Sequence, residues 1–278
     1  MNEILKIEAL SKTFTKKGFF NSNKNTVKAV DNVSFSLSEG EILAIAGQSG
    51  SGKSTLAKLI LRAIEPDSGK IYFLGNEISN NSENLKKIRT MCQMVYQDPY
   101  DSINPRMKVF DIINEPLEIH NIGTKEDRYQ IIMKTLRQVK LEPAEEILEK
   151  FPHMLSGGQR QRVVIARALV TNPKVIIADE PVSMLDVSVR GEILELLSEI
   201  QKNNNISLIY ITHDLATAKF FANKIIILYS GKIMESGFIS EVLDNPKHPY
   251  TQALIDAISK PDPKNLYKEK NISWKIDN

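Results

Sequence analysis

The nine residues Gly47-Gln48-Ser49-Gly50-Ser51-Gly52-Lys53-Ser54-Thr55 constrain this chain more than any other stretch. They follow the pattern of a glycine, four residues, then Gly-Lys-Ser/Thr, a loop whose backbone N–H groups can turn inward around phosphate oxygens. Residues 41–46, just before it, are short, apolar and glycine-bounded, as a buried strand should be. Residues 56–61, just after it, read as the start of a helix. The motif therefore falls at a strand-to-helix turn, the context it requires. Its glycines let the backbone wrap closely, and the helix N-terminus adds unpaired donors and a positive dipole end. Lys53 is expected to reach the β- and γ-phosphates of a nucleotide, and the Ser54 hydroxyl to bind Mg2+. The competing reading is an ordinary glycine-rich turn.

With 278 residues, the chain is long enough for one large domain or two small ones. Its formal charge of +2 gives no dominant nucleic-acid footprint, so no nucleic-acid partner is expected. No run of about eighteen apolar residues is present, so a membrane span is not expected either. The N-terminal Met1-Asn2-Glu3-Ile4 lacks the basic-then-apolar layout of a signal peptide. Cys92 is the single cysteine, which excludes an internal disulfide, a cysteine-rich zinc site and a four-cysteine iron–sulfur cluster, and reads as a buried thiol. Together these features point to the cytoplasm.

Strands are expected at 3–10 and 27–38, where Val33, Phe35 and Leu37 alternate with serines, and at 69–74 before a Gly75-Asn76 turn. This early region reads as antiparallel, with residues 16–28 an exposed Asn-, Lys- and Gly-rich loop. From about 100 to 155 helical patterns dominate. Thr124 is a plausible N-cap, and Ile132, Leu136 and Val139 repeat at helical spacing, so an inserted helical subdomain is expected. Beyond Ser156, apolar strands at 175–178, 206–211 and 225–229 alternate with helices, which argues a parallel sheet covered by helices. The tail beyond about 245 carries four prolines and many charges and reads as a small appended element.

Two more stretches carry chemistry. Residues 175–180 form an apolar strand ending in Asp179 and Glu180. A carboxylate at the end of a strand beside the phosphate loop suits Mg2+, which fits Asp179. Glu180 follows at once and could orient, or take a proton from, an attacking water. The other stretch, Leu155-Ser156-Gly157-Gly158-Gln159, opens a helix expected over 160–170, and Ser156 and Gln159 have the spacing of a capping box. The two glycines leave that helix end unobstructed, so it could bind a second anion. It could equally be a normal capped helix.

Leu-Ser-Gly-Gly-Gln between the two nucleotide motifs resembles the signature of the ATP-binding cassette (ABC) ATPases, and the resemblance runs in order over nearly the whole chain. Tyr96-Gln97-Asp98 is similar to the family's glutamine loop, Ser183-Met184-Leu185-Asp186 to its Ser-Ala-Leu-Asp loop with Met184 as a departure, and Ile211-Thr212-His213-Asp214 to its histidine switch. Read without the family, Gln97 is a loop amide and His213 a capping or packed histidine. Phe14 resembles the aromatic that stacks on adenine; Phe19 and Phe20 compete for that role, and a core position is the plainer reading.

The resemblance implies an α/β fold: a P-loop nucleotide-binding core with an antiparallel β subdomain and the helical insertion. It implies a cassette domain over 1–245 and a C-terminal extension over 246–278. The cofactors implied are ATP and Mg2+. Residues 47–55 would hold the nucleotide, Lys53 its phosphates, and Ser54 and Asp179 the metal. Glu180 would act on the water, Gln97 would sense metal and nucleophile, and His213 the γ-phosphate. Ser156, Gly157, Gly158 and Gln159 would serve an ATP held mainly by a second cassette packed head to tail.

Residues 96–107, and His248-Pro249-Tyr250-Thr251-Gln252-Ala253-Leu254 near the C-terminus, are similar to ATPase subunits of oligopeptide, dipeptide and nickel importers. Some of those carry a C-terminal cysteine cluster; this chain does not. The narrower resemblance implies a homologous but non-identical second ATPase, with a homodimer as the alternative. It also implies two membrane permeases, an external solute-binding protein acting indirectly, and a peripheral position on the inner face of the membrane. Peptides are the expected cargo, and nickel or a metal–chelate complex the alternative. A soluble cassette acting outside transport is the remote reading.

Overall fold

The computed structural model describes residues 2–16 and 25–258. Its strands, in chain order, are β1 (Glu3–Lys16), β2 (Asn25–Ser38), β3 (Ile42–Ala46), β4 (Ser68–Phe73), β5 (Asn76–Glu77), β6 (Cys92–Val95), β7 (Val175–Asp179), β8 (Ser207–Thr212), β9 (Lys224–Tyr229) and β10 (Lys232–Phe238). Its helices are α1 (Lys53–Ile60), α2 (Ser82–Met91), α3 (Pro99–Ser102), α4 (Val109–Ile119), α5 (Lys125–Gln138), α6 (Ala144–Leu148), α7 (Gly157–Leu169), α8 (Val187–Asn204), α9 (Leu215–Phe221), α10 (Ile239–Asp244) and α11 (Pro249–Ile258).

Two sheets form. The first is antiparallel, in the order β2-β1-β4-β5. The second has the order β10-β9-β3-β8-β7-β6 and is parallel except for β10, which returns antiparallel along β9. The expected α/β class with an early antiparallel region is what the chain adopts.

β3 shows why this chain makes this sheet. All five of its residues are buried, so it needs cover on both faces. Leu43 and Ile45 join the cluster of Leu56, Leu59 and Ile60 from α1 and of the antiparallel sheet. Ala44 and Ala46 face a separate cluster with Leu215, Ile227, Tyr250 and Leu254. α1 thus sits between the two sheets, and the loop joining β3 to α1 is anchored at both ends by buried apolar side chains.

Residues 100–155 form helices only, among them α4, α5 and α6, packed with α7 and α8 in a third cluster. α5 starts with a full capping box between Thr124 and Asp127, at the N-cap expected from sequence. The strands β1 and β2 run further into residues 16–28 than expected, because Thr13, Phe14 and Thr15 keep pairing with Lys28, Val27 and Thr26. α7 begins at Gly157 rather than at 160, since the Ser156 cap starts the helix at once. β6 and β10 were not expected; β6 is only four residues long, and β10 is largely exposed. Among the described residues, no helix is long and apolar enough to cross a membrane.

Candidate nucleotide site

The phosphate loop is held by close backbone approach. A Cβ built on Gly47 would lie 2.1 Å from the Leu228 carbonyl oxygen, and one on Gly52 2.1 Å from that of Ala29, with Gly52 also at φ +106. No side chain fits at either place, so the loop lies directly against β2 and β9. Gly231 N–H donates to the Ser51 carbonyl at 2.9 Å, fixing the other flank.

Lys53, the first residue of α1, folds its side chain back across the loop. Its Nζ donates to the Gly47 carbonyl at 2.7 Å and the Gln48 carbonyl at 2.9 Å. Burial pulls the ammonium below its ordinary range, opposed by the nearby carboxylates of Glu180 and Asp179. A buried cation whose ordinary hydrogen-bonding partners are neutral loop atoms is suited to receive an anion.

β7 delivers the carboxylates. Asp179, its last residue, is buried; that burial raises its carboxyl above the usual range, while a bond with the Ser54 hydroxyl pulls the other way. The chain then turns sharply. Glu180 sits at φ +46, a left-handed conformation rare for a residue with a side chain. Its N–H still donates to the Ile211 carbonyl at 2.9 Å. The turn sends Asp179 and Glu180 different ways from adjacent positions.

Two loops converge on Glu180. Gln97, two residues beyond β6, donates from Nε2 to Glu180 Oε2 at 3.1 Å. His213, at the end of β8, places Nδ1 3.0 Å from Glu180 Oε1, a contact that requires the proton on Nδ1. Asp214 caps α9 by accepting from Ala216 N–H at 2.9 Å, which fixes the turn carrying His213.

Gln97, Glu180 and His213 line a cleft of about 740 Å³ together with Ser49, Gly50, Lys53, Ser54 and Thr55. Its far wall is Thr26, Val27, Lys28 and Ala29 of β2, together with Ser230. Sequence reasoning missed that wall, and no local signal marks it: the register of β1 on β2 brings it there. Phe14 pairs with Val27 across that register and is 43% exposed, but it stands beside the lining rather than in it. Phe19 and Phe20 lie outside the described residues.

Ser156, Gly157, Gly158 and Gln159 are not part of this cleft. Ser156 Oγ accepts from Gln159 N–H at 3.2 Å, and Gln159 Oε1 accepts from Ser156 N–H at 3.0 Å. Gly158 has a packing reason as well: a Cβ there would meet Val189 of α8 at 2.7 Å. Arg160 is buried behind the cap, donating to the carbonyls of Pro152 and Leu155, with Tyr100 stacked 4.0 Å over its guanidinium.

A nucleotide with Mg2+ fits this donor set. Among the described residues, no cluster of three or more His, Cys, Asp or Glu side chains is placed to hold a metal. Mg2+ does not need one, since it commonly rests on one or two carboxylates, a hydroxyl, water and substrate phosphates. Ser54 and Asp179, hydrogen-bonded to each other beside the buried Lys53, would supply the protein share.

Comparison with known proteins agrees with this chemistry. Residues 30–183 match the family model described as ABC transporter, and residues 234–275 match the one described as oligopeptide/dipeptide transporter, C-terminal region. The chain is 44% identical over 258 residues to the oligopeptide transport ATP-binding protein AppF of Bacillus subtilis, covering 92% of this chain and 78% of that protein. It is 42% identical over 256 residues to the dipeptide transport ATP-binding protein DppF of Haemophilus influenzae, covering 92% and 77%. Among solved structures, cbiO1 from Clostridium perfringens, part of the complex cbiONQ, superposes with TM-score 0.74 at 30% identity, covering 88% of this chain and 92% of that one. The cassette MJ0796, in a dimeric post-hydrolysis state bound to ADP and Pi, superposes with TM-score 0.73 at 31% identity, covering 84% and 98%.

Proposed function

The chain belongs to the ABC transporter family, and from that membership we propose that it is the ATP-hydrolysing subunit of an importer of oligo- or dipeptides. The observation that carries the enzymatic reading is the Glu180 carboxylate, held between Gln97 and His213 beside buried Asp179 and Lys53. The curated relatives' names and the C-terminal match at 234–275 support peptides over nickel as cargo.

In this reading Lys53 exchanges its loop carbonyls for the β- and γ-phosphate oxygens of ATP. Ser54 and Asp179 hold Mg2+, which when bound neutralises charge on the phosphates. Glu180 accepts hydrogen bonding from the attacking water and takes its proton. Gln97 and His213 hold that carboxylate in place, so the sharp turn after Asp179 is matched by two side-chain anchors. Hydrolysis is then a matter of position and electrostatics, with no covalent intermediate on the protein. Lys28 and Val27 of β2 offer a wall for the rest of the nucleotide, and Phe14 beside them is the aromatic available for the base.

The capping box of α7 is not among the walls of this cleft and serves a second ATP held by another cassette. The partners are therefore a second ATPase subunit, homologous but not identical, and two membrane permeases. The protein works at the inner face of the membrane, and no nucleic acid takes part. The cassette spans 1–245 and the C-terminal extension 246–278.

The test of cargo is uptake. A strain lacking this chain should stop accumulating a labelled tri- or tetrapeptide and continue to accumulate nickel; loss of nickel uptake with normal peptide uptake would reverse the assignment.

A further inference from the structure

Arg190 stands in the first turn of α8, where local helix energetics do not favour it. A helix N-terminus is the positive end of the dipole, so a cation there is unfavourable, and the first turn of α8 holds no acidic residue to balance it. The N-cap residue, Asp186, makes no side-chain capping bond either. The guanidinium turns back instead onto the loop that leads into the helix. Its Nε donates to the Leu185 carbonyl at 2.9 Å and its Nη2 to the Ser183 carbonyl at 3.4 Å. These two donors share one edge of a planar group, so one side chain takes both carbonyls; a lysine, with a single point charge, lacks that fork.

The clamped loop bears directly on the backbone of Glu180. Ser183 Oγ donates to the Glu180 carbonyl at 3.0 Å, and the Ser183 N–H donates to the same oxygen at 3.2 Å. On the other side, the Glu180 N–H donates to the Ile211 carbonyl at 2.9 Å. A residue at φ +46 is therefore tied at both its peptide groups, to β8 through the N–H and to Ser183 through the carbonyl. Gln97 and His213 hold its carboxylate separately. The bonds running from Arg190 through Ser183 add a restraint that comes from α8.

We propose that Arg190 is a positioning residue for hydrolysis: through Ser183 it keeps the Glu180 peptide in its left-handed turn, and so aims the carboxylate at the attacking water. The inference rests on the function proposed above. Arg190 is not among the residues lining the nucleotide cleft. Its loss should therefore fall on the chemical step and leave ATP binding nearly untouched.

Arg190→Lys keeps the charge and removes the fork. In the full chain with Mg-ATP, kcat should fall about tenfold with KM within about twofold of wild type, because misplacing a catalytic group costs rate rather than ground-state binding. In the Glu180→Gln background the same substitution should slow turnover no further, since no proton acceptor is left to aim. Without nucleotide, amide hydrogen exchange over 180–190 should speed up severalfold. Should Arg190→Lys fail to fold, Ser183→Ala, which removes one hydroxyl from the Glu180 carbonyl, decides by the same measurements and in the same directions. A kcat within about twofold of wild type would overturn the proposal, as would a further tenfold loss in the Glu180→Gln background. A rise in KM as large as the fall in kcat would also overturn it, by making Arg190 a general support of the fold. Wild-type protein that fails to hydrolyse ATP would refute the proposed function instead, while exchange over 180–190, measured without nucleotide, still reports on the clamp.

Discussion

Glu180 is held in a backbone conformation that costs on the order of 1–3 kcal/mol for a residue with a side chain. Gln97 and His213 fasten its carboxylate, so the strained residue is one the surroundings over-determine. Glu180→Gln keeps the volume and removes the proton acceptor. The variant should bind ATP and hydrolyse it about a hundredfold or more slowly, and it should elute in Mg-ATP as a larger, nucleotide-bound assembly. Normal turnover with unchanged elution would remove Glu180 from its role. Lys53→Ala should lower turnover by about a hundredfold or more, because one preorganised electrostatic contact in a water-poor site is typically worth roughly 3 kcal/mol; retention of half the wild-type rate would count against it. At Cys92 burial pushes the thiol up to about 12, so almost no thiolate exists at neutral pH. Alkylation by iodoacetamide should therefore be negligible in the native protein and complete in denaturant. Lys53, Asp179 and Glu180 were legible because each sits in a short motif with its own chemistry, whereas Gln97 and His213 were legible only through the family resemblance, since by themselves they read as a loop amide and a capping or packed histidine. The β2 wall was not legible. Residues 26–29 carry no nucleotide-like chemistry and reach the cleft only through sheet register.

At the scale of elements, the strands that were readable are those with a simple burial pattern. β3, β7 and β8 are buried throughout and are each built on an apolar run, with polar residues only at the strand ends of β7 and β8. β6 has four residues and follows a helix without a break, and β10 alternates weakly because it lies at the sheet edge. Neither offers a period long enough to read. The glycines of α7 show the same limit. Sequence suggests open access at both, yet the two differ in the fold: a Cβ on Gly157 would make an ordinary 3.6 Å contact with Leu185, and one on Gly158 would come within 2.7 Å of Val189. Gly157→Ala should leave the melting temperature within a degree or two. Gly158→Ala should lower it, since overpacking costs about 1–3 kcal/mol and each kcal/mol shifts a domain of this size by roughly 2–4 °C. Equal melting temperatures would show that α7 and α8 slide apart without cost. The helices between 100 and 155 carry a different expectation. They begin just beyond Gln97 and end at the α7 cap, and Tyr100 stacks on Arg160 across that span. Movement there would connect the site to the permeases. Cysteines placed in this span should cross-link to a permease; cross-links confined to residues 16–28 would show that the helical insertion is passive.

In the whole molecule the α7 cap, proposed to serve a second ATP, lies outside the lining of the nucleotide cleft, to which Lys53, Ser54 and Glu180 belong. In the α7 cap the Ser156 hydroxyl accepts from the Gln159 backbone N–H and the Gln159 side-chain carbonyl from the Ser156 N–H, and the first-turn donors left without an intrahelical partner could meet an anion brought by another cassette. Met184, in the turn before α8, and Val187, the first residue of α8, are 61% and 81% exposed, apolar surface suited to burial against another subunit. Efficient hydrolysis therefore requires a second cassette. Both half-sites are intact here, so this chain has the groups to pair with itself as well as with a homologue, and rate against concentration separates the two. If a homologue is the partner, the isolated chain should turn over ATP weakly, with a rate nearly proportional to its concentration, and the rate should rise severalfold when the second ATPase subunit is added. If self-pairing suffices, the rate should climb more steeply than linearly with concentration and saturate. Native mass spectrometry of the complex taken from its own membrane gives the composition directly. One copy of this chain beside one different ATPase is the expected result, and two copies with no second ATPase would refute the heterodimer.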